Sequence, residues 1–306
     1  MKDSPYFKQA ELMLKTIPHV AAETCFALKG GTAINLFVRD MPRLSVDIDL
    51  TYLPVDEPRE IALKKISDAL GRIAGAIKKA IAGTRVQETH AQDPGGVTRL
   101  TLAVGPTRIK IEPNEVIRGS VYPAEERELT RRAEDLFELS VTAQTLSLAD
   151  LYGGKLCAAL DRQHPRDLFD VKLLLQNEGI TDEIRKAFVV YLASHDRAMH
   201  ELLDPTPKNI RGIYENEFAG MTVDPVSYED LIATRGTLIE TLRKELTNGE
   251  REFLVSLKAG QPKWNLIGVD GVEKLPAVQW KLMNIKKISS KKQKELLERL
   301  RRVLEM

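Results

Sequence analysis

A chain of 306 residues is long enough for two domains, each with its own core. With 43% hydrophobic and 29% charged residues it has neither a disordered nor a membrane-protein composition, and two cysteines (Cys25 and Cys157) are too few for a disulfide scaffold. A formal net charge of +1 creates no global field for nucleic acid, so any such contact needs a local basic patch.

Met1-Lys2-Asp3-Ser4-Pro5 lacks the basic-then-apolar layout of a signal peptide, and no stretch reaches the ~20 apolar residues of a membrane span. The expectation is a soluble, cytoplasmic protein. The first helix begins at Pro5, with Ser4 as its cap. A strand over 24–28 leads through Lys29-Gly30-Gly31-Thr32 into a helical run over 33–38. Residues 43–52 read as a strand with acids at alternate positions, and 56–82 as a helix. Strands follow over 85–89, 97–104 and 107–112, the last two joined as a hairpin at Gly105-Pro106, with another near 139–143. Beyond Ser147 helices dominate: 148–160, 165–177, 182–195, 227–247 and 291–304. The fold class is therefore α+β: a mixed-sheet domain over 1–145, then a mainly helical domain over 146–306.

Side chains alternate along a strand, so Asp47 and Asp49 face one way while Val46, Ile48 and Leu50 face the other. Two adjacent carboxylates repel one another. Mg²⁺ (or Mn²⁺), which takes one or two carboxylates plus phosphate oxygens, resolves that repulsion; an exposed polar edge is the alternative. Upstream, Gly30-Gly31-Thr32 sits between a strand and a helix, where backbone N–H groups can hold phosphates. The Walker pattern is absent. Glu112 is the candidate third metal ligand, although the strand around it also reads as an ordinary Lys/Glu surface.

Two glycines in a helix, Gly153 and Gly154, cost roughly 1–2 kcal/mol against alanine and point to close approach of a ligand or a backbone. Lys155 beside them can neutralise triphosphate charge, with Asp167 positioning Lys155 or an incoming hydroxyl; a buried ion pair is the alternative. Ser147 with Asp150 fits a capping box, and His164 before Pro165 fits a helix cap. The last helix carries Lys291, Lys292, Lys294, Arg299, Arg301 and Arg302, and reads as an RNA-backbone contact or as a solvated amphipathic helix.

Through Lys29-Gly30-Gly31-Thr32-Ala33, Ser45-Val46-Asp47-Ile48-Asp49-Leu50 and Lys155 to Asp170, the chain resembles the AbiEii/AbiGii toxins of type IV toxin–antitoxin systems. These are members of the DNA polymerase β-like nucleotidyltransferase superfamily. The resemblance implies a nucleotidyltransferase sheet followed by a helical lobe that closes over the nucleotide. It implies Mg²⁺ at Asp47 and Asp49, and phosphate binding at Gly31 and Thr32. Gly30, Ser45 and Arg162 join the nucleotide-binding set, and Lys155 and Asp167 match the family's downstream functional Lys and Asp. Relatives include enzymes that add nucleotides to the tRNA 3′ end. The usual partner is a separately encoded antitoxin acting without a stable complex. Gly-Gly-Thr replaces the Gly-Ser common in the superfamily, and the spacer to Asp47 is long.

The leading function is transfer of a nucleoside monophosphate from an NTP to an RNA, with tRNA among the acceptors. The alternatives are γ-phosphate transfer, a nucleotide-binding regulatory module, and a haloacid-dehalogenase-like phosphatase suggested by Asp47-Ile48-Asp49-Leu50-Thr51. The last lacks matching downstream acids.

Overall fold

The computed structural model describes residues 5–91 and 96–306, so the cap expected at Ser4 lies outside the described residues. The chain divides into two compact units. The first runs to Ser147 and takes back Ala219–Pro225; the second comprises Leu148–Phe218 and Val226–Met306.

The first unit is built on seven strands among the described residues: β1 (Phe26–Lys29), β2 (Asp47–Tyr52), β3 (Arg85–His90), β4 (Val97–Val104), β5 (Thr107–Asn114), β6 (Glu125–Glu128) and β7 (Thr142–Thr145). Their order is β3-β4-β5-β2-β1-β7-β6. β2 pairs antiparallel with β1 and parallel with β5, so the central strand is hydrogen-bonded on both sides. β4 and β5 form the expected hairpin, with Val104 opposite Thr107 and Gly105 at φ 56° in the two-residue turn.

One face of the sheet is apolar: Ile48, Leu50, Leu100, Leu102, Ile109 and Ile111 are at most 1% exposed. Helices α1 (Pro5–Ala21) and α3 (Arg59–Ala80) pack on the sheet and touch each other. α3 does so because Ala62, Ile66, Ala69, Leu70, Ile73, Ala74 and Ile77 recur at three- and four-residue spacing and form one buried stripe. Between β1 and β2, α2 (Gly30–Ala33) runs into a π-helical stretch, Ile34–Val38.

Three local readings change. β2 starts at Asp47 rather than at 43, because the preceding backbone bonds elsewhere. Leu44 N donates to Met221 O at 3.1 Å, Val223 N donates to Pro42 O at 2.9 Å, and Arg43 bridges Thr222. Residues 43–46 are thus tied to the returning segment, not to the sheet. The strand expected near 139–143 is β7 at Thr142–Thr145. β6 and the short helix α4 (Arg131–Phe137) carry no apolar alternation strong enough to announce them.

The second unit is helical: α5 (Leu148–Arg162), α6 (Pro165–Gln176), α7 (Asp182–Ser194), α8 (Met199–Leu203), α9 (Arg211–Ile213) continuing as π-helix over Tyr214–Phe218, α10 (Tyr228–Glu245), α11 (Asn248–Lys258), α12 (Pro276–Lys286) and α13 (Ser290–Val303). α11 opens on Asn248-Gly249, and Thr247 and Glu250 close a reciprocal capping box over that first turn. Among the described residues no helix is long and apolar enough to cross a membrane.

Candidate active site

On β2, Asp47 and Asp49 are half-buried while the alternating Ile48 and Leu50 are wholly buried, so both carboxylates leave the open face of the sheet. Register places Lys29 of β1 on one side of Asp49 and Glu112 of β5 on the other, with Lys110 beside Asp47.

The glycine turn is fitted to this strand. Gly30 has φ 67°, and a Cβ there would lie 2.6 Å from Asp49 Oδ2, so the second aspartate rests directly on the glycine backbone. A Cβ on Gly31 would lie 2.6 Å from Arg43 Nη2 and 3.3 Å from Ser45 Oγ. Thr32 is 1% exposed, with its hydroxyl 2.5 Å from Asp47 O and 2.9 Å from Ser45 Oγ. Thr32 and the 6%-exposed Ser45 therefore pin the turn to the start of β2 through buried hydroxyls. Arg43 was not singled out from the sequence. It is 2% exposed, donates to Leu44 O at 2.9 Å, and brings a guanidinium against the glycine turn. An arginine four residues before an Asp-x-Asp pair was the only signal, and it is a weak one.

Glu112 aligns with Asp49, but its carboxylate meets Arg99 Nε at 2.5 Å. Among the described residues no group of three or more His, Cys, Asp or Glu side chains is set to hold a metal. The donor set is two neighbouring carboxylates. That does not make a closed protein cage, but it fits Mg²⁺, which completes its shell with phosphate oxygens and water.

In the second unit Lys155 and Asp167 come together as the sequence suggested. Lys155 Nζ lies 2.8 Å from Asp167 Oδ1 and 3.0 Å from Asp170 Oδ2, with the lysine side chain 6% exposed and the acids 4% and 0%. Arg162 Nη2 reaches Asp167 Oδ2 at 2.8 Å from a side chain that is 61% exposed. Burial pushes Asp167 up, but the Lys155 and Arg162 charges outweigh it and hold the carboxyl below the usual range. Asp170, present in the motif but given no role from sequence, completes a balanced cluster of two cations and two anions.

The paired glycines beside Lys155 have different explanations. A Cβ on Gly153 would lie 2.8 Å from Ala187 C and Phe188 N, so the close approach there is to the backbone of α7. Nothing lies within 4 Å of a Cβ on Gly154. His164 is the α6 cap, its Nδ1 accepting from Arg166 N at 3.1 Å, with Pro165 in the first turn. Asp150 is 1% exposed and accepts the Tyr191 hydroxyl at 2.8 Å.

A mixed sheet that seats a glycine turn on an Asp-x-Asp strand defines the nucleotidyltransferase class. The sequence model described as "Nucleotidyl transferase AbiEii toxin, Type IV TA system" matches residues 12–284, and the chain belongs to that family. Its fold is similar to that of MenT4, the nucleotidyltransferase toxin Rv2826c from Mycobacterium tuberculosis H37Rv, with a TM-score of 0.60. That match is 12% identical in sequence and covers 92% of this chain and 94% of the other. No curated protein matches the chain in sequence. The chain is thus a nucleotidyltransferase toxin, and its family implies an NTP substrate and a separately encoded antitoxin.

Proposed function

We propose that this toxin transfers a nucleoside monophosphate from an NTP to the hydroxyl of an RNA, with the tRNA 3′ end the leading acceptor, and that Asp47 and Asp49 hold Mg²⁺ or Mn²⁺ for the transfer. The observation that carries the reading is the seating of Asp49 on Gly30, which sets the acidic pair directly beside a glycine turn that opens a helix.

In the reaction the acceptor oxygen bonds to the α-phosphorus, the bond to the bridging oxygen of the β-phosphate breaks, and pyrophosphate leaves with that electron pair. The hydroxyl proton passes to solvent or to a half-buried carboxylate of β2. A divalent cation at Asp47 and Asp49 supplies charge neutralisation of the triphosphate and acidifies the attacking hydroxyl. The chain's own part is positional. Gly30 and Gly31 let phosphate oxygens approach backbone N–H groups, and Thr32 and Ser45 hold that turn in place through their mutual hydroxyl contact. Glu112 serves through Arg99 as a neighbour of Asp49 and becomes a third ligand only if that pair opens.

In the second unit, Arg162 is the exposed cation available to phosphate. Lys155, Asp167 and Asp170 set its position from a buried cluster. The match of Lys155 and Asp167 to the family's downstream motif is what assigns them as positioning residues of the transfer reaction, and their buried ion pair would act through Arg162. An antitoxin that acts without a stable complex remains part of this reading, as does a cytoplasmic site of action.

The test is incubation of purified protein with Mg²⁺, total RNA and each α-labelled NTP in turn. Label entering RNA is the expected result and identifies the nucleotide. Absence of that label together with transfer from γ-labelled NTP would replace this reading with phosphotransfer.

A further inference from the structure

α12 is held to the protein by one face. Ala277, Val278, Lys281 and Ile285 are buried, and the Lys281 ammonium donates to the carbonyls of His195, Asp196 and Arg197 just beyond α7. The opposite face turns to solvent. It carries Trp280 at 49% exposure and Met283 at 47%, three residues apart and so neighbours on the helix surface. Lys287 follows four residues after Met283 on the same stripe, with Lys286 beside it, and both are exposed. A single exposed apolar side chain needs no explanation, but a tryptophan and a methionine side by side form a patch. Trp264, the other tryptophan, packs against Phe253 with ring centroids 5.9 Å apart.

The charge around that patch has one sign. The chain has 44 acidic residues, yet none falls in 275–294, a stretch that holds Trp280 and six lysines. Of the six, Lys281 alone is buried, and Lys292 alone has an ion pair among the described residues, to Glu295 at 3.8 Å. Part of the run has a structural use, since Lys286 in the last turn of α12 complements the helix dipole. Lys291 and Lys292 do the reverse. They lie in the first turn of α13, which holds no acid, so two cations sit at the positive end of a helix that they destabilise. A local rule broken on an exposed surface points to an anion that offsets the charge when it binds.

An aromatic face beside unpaired lysines matches a single strand of RNA, whose bases stack and whose phosphates attract cations. It does not match a bilayer. The apolar stripe of α13 packs on the protein, with Leu300 and Leu304 each 1% exposed, so it is not free to insert among lipids. We propose that Trp280, Met283, Lys287 and Lys291 form the surface on which the second unit holds the RNA acceptor, a base stacking on Trp280 and phosphates of the same strand meeting Lys287 and Lys291. Four residues separate the two lysines, at most ~14 Å of chain, so both lie within a few nucleotides of each other. Every base presents a π-face, so this grip tolerates any sequence. The choice of RNA as occupant rests on the nucleotidyl-transfer reading; the surface itself rests on α12 and the start of α13.

The test uses the full-length protein without NTP or divalent metal. A fluorescein-labelled single-stranded RNA reports affinity by anisotropy over about 50 to 200 mM salt. The same RNA, unlabelled, is titrated into Trp264→Phe protein, whose one remaining tryptophan is Trp280. RNA is expected to quench that emission. Trp280→Ala is expected to weaken binding by about tenfold with the salt slope unchanged, because stacking releases no counterions. Lys287→Gln combined with Lys291→Gln is expected to reduce the slope of log affinity against log salt by about 1.4, with the melting temperature unchanged or raised. RNA that leaves Trp280 emission unmoved and binds both variants as it binds wild type would overturn the proposal. So would quenching by vesicles of phosphatidylcholine and phosphatidylserine but not by RNA, since the patch would then be a membrane contact. RNA binding through Trp280 in a protein that incorporates no α-label from any NTP would sink the transfer reading and leave the surface standing. Incorporation at limiting RNA that is unchanged in Trp280→Ala would sink the surface alone.

Discussion

Gly153 and Gly154 are adjacent in α5, yet alanine is predicted to act in opposite directions at the two positions. In a helix interior alanine is better than glycine by about 1 kcal/mol. At Gly154 nothing lies within 4 Å of the added methyl, so the gain is kept. At Gly153 the methyl would meet Ala187 C, Ala187 Cβ and Phe188 N, all at 2.8 Å. Those atoms belong to the backbone and first side-chain carbon of α7, so no rotamer change relieves them and the two helices must separate. Overpacking of that kind costs roughly 1–3 kcal/mol and outweighs the helix-propensity gain. Gly154→Ala is expected to raise the melting temperature by about 2–4 °C and Gly153→Ala to lower it by roughly 2–8 °C. Calorimetry supplies the shifts, and hydrogen exchange of α5 and α7 amides locates them. Equal shifts for the two variants would refute the packing argument.

Removing the charge of Lys155 with Lys155→Met leaves Asp167 and Asp170 buried against a single cation and is expected to cost about 3–5 kcal/mol. A lower urea midpoint, partly restored by adding Asp170→Asn, checks this; an unchanged midpoint contradicts it. Burial pushes Lys281 down to about 8 from its ordinary 10.5. Between those values the unfolded chain carries a proton that the fold does not, so this residue's contribution to stability rises with pH across the window, by up to ~1.4 kcal/mol per unit. Lys281→Met is expected to lose that slope, and identical pH profiles for variant and wild type would count against it. Gly30→Ala strains a positive φ and drives a methyl into Asp49 Oδ2, so transfer is expected to fall by about 10²-fold while the fold persists. Full activity in that variant would break the link between turn and carboxylate.

Local periodicity was the legible part of this chain. Asp47-Ile48-Asp49-Leu50 alternates cleanly, and the structure shows the buried and half-buried pattern that alternation dictates. The α3 stripe and the Gly105 hairpin follow from equally local rules. What escaped was set by partners distant in sequence. Residues 43–46 look like strand until Met221 and Thr222 claim their backbone. β6 is an edge strand of charged residues, which carries no alternation to read. Gly153 was recognisable as a close approach, but only α7 shows that the neighbour is backbone. Glu112 carried the right charge at the right register, and its pairing with Arg99 depends on the β4–β5 pairing. Arg43 reads as an ordinary cation, because its burial against the glycine turn is a property of tertiary packing.

The central claim is that Asp49 works as a cation ligand for nucleotidyl transfer. Single-turnover incorporation of α-labelled NTP into RNA by wild type and Asp49→Asn, at saturating Mg²⁺ and with folding matched by melting temperature, tests it most directly. Asparagine keeps the shape against Gly30 and removes the charge, so the account predicts a rate at least about 10²–10³-fold lower. A variant that transfers nucleotide at the wild-type rate would contradict it.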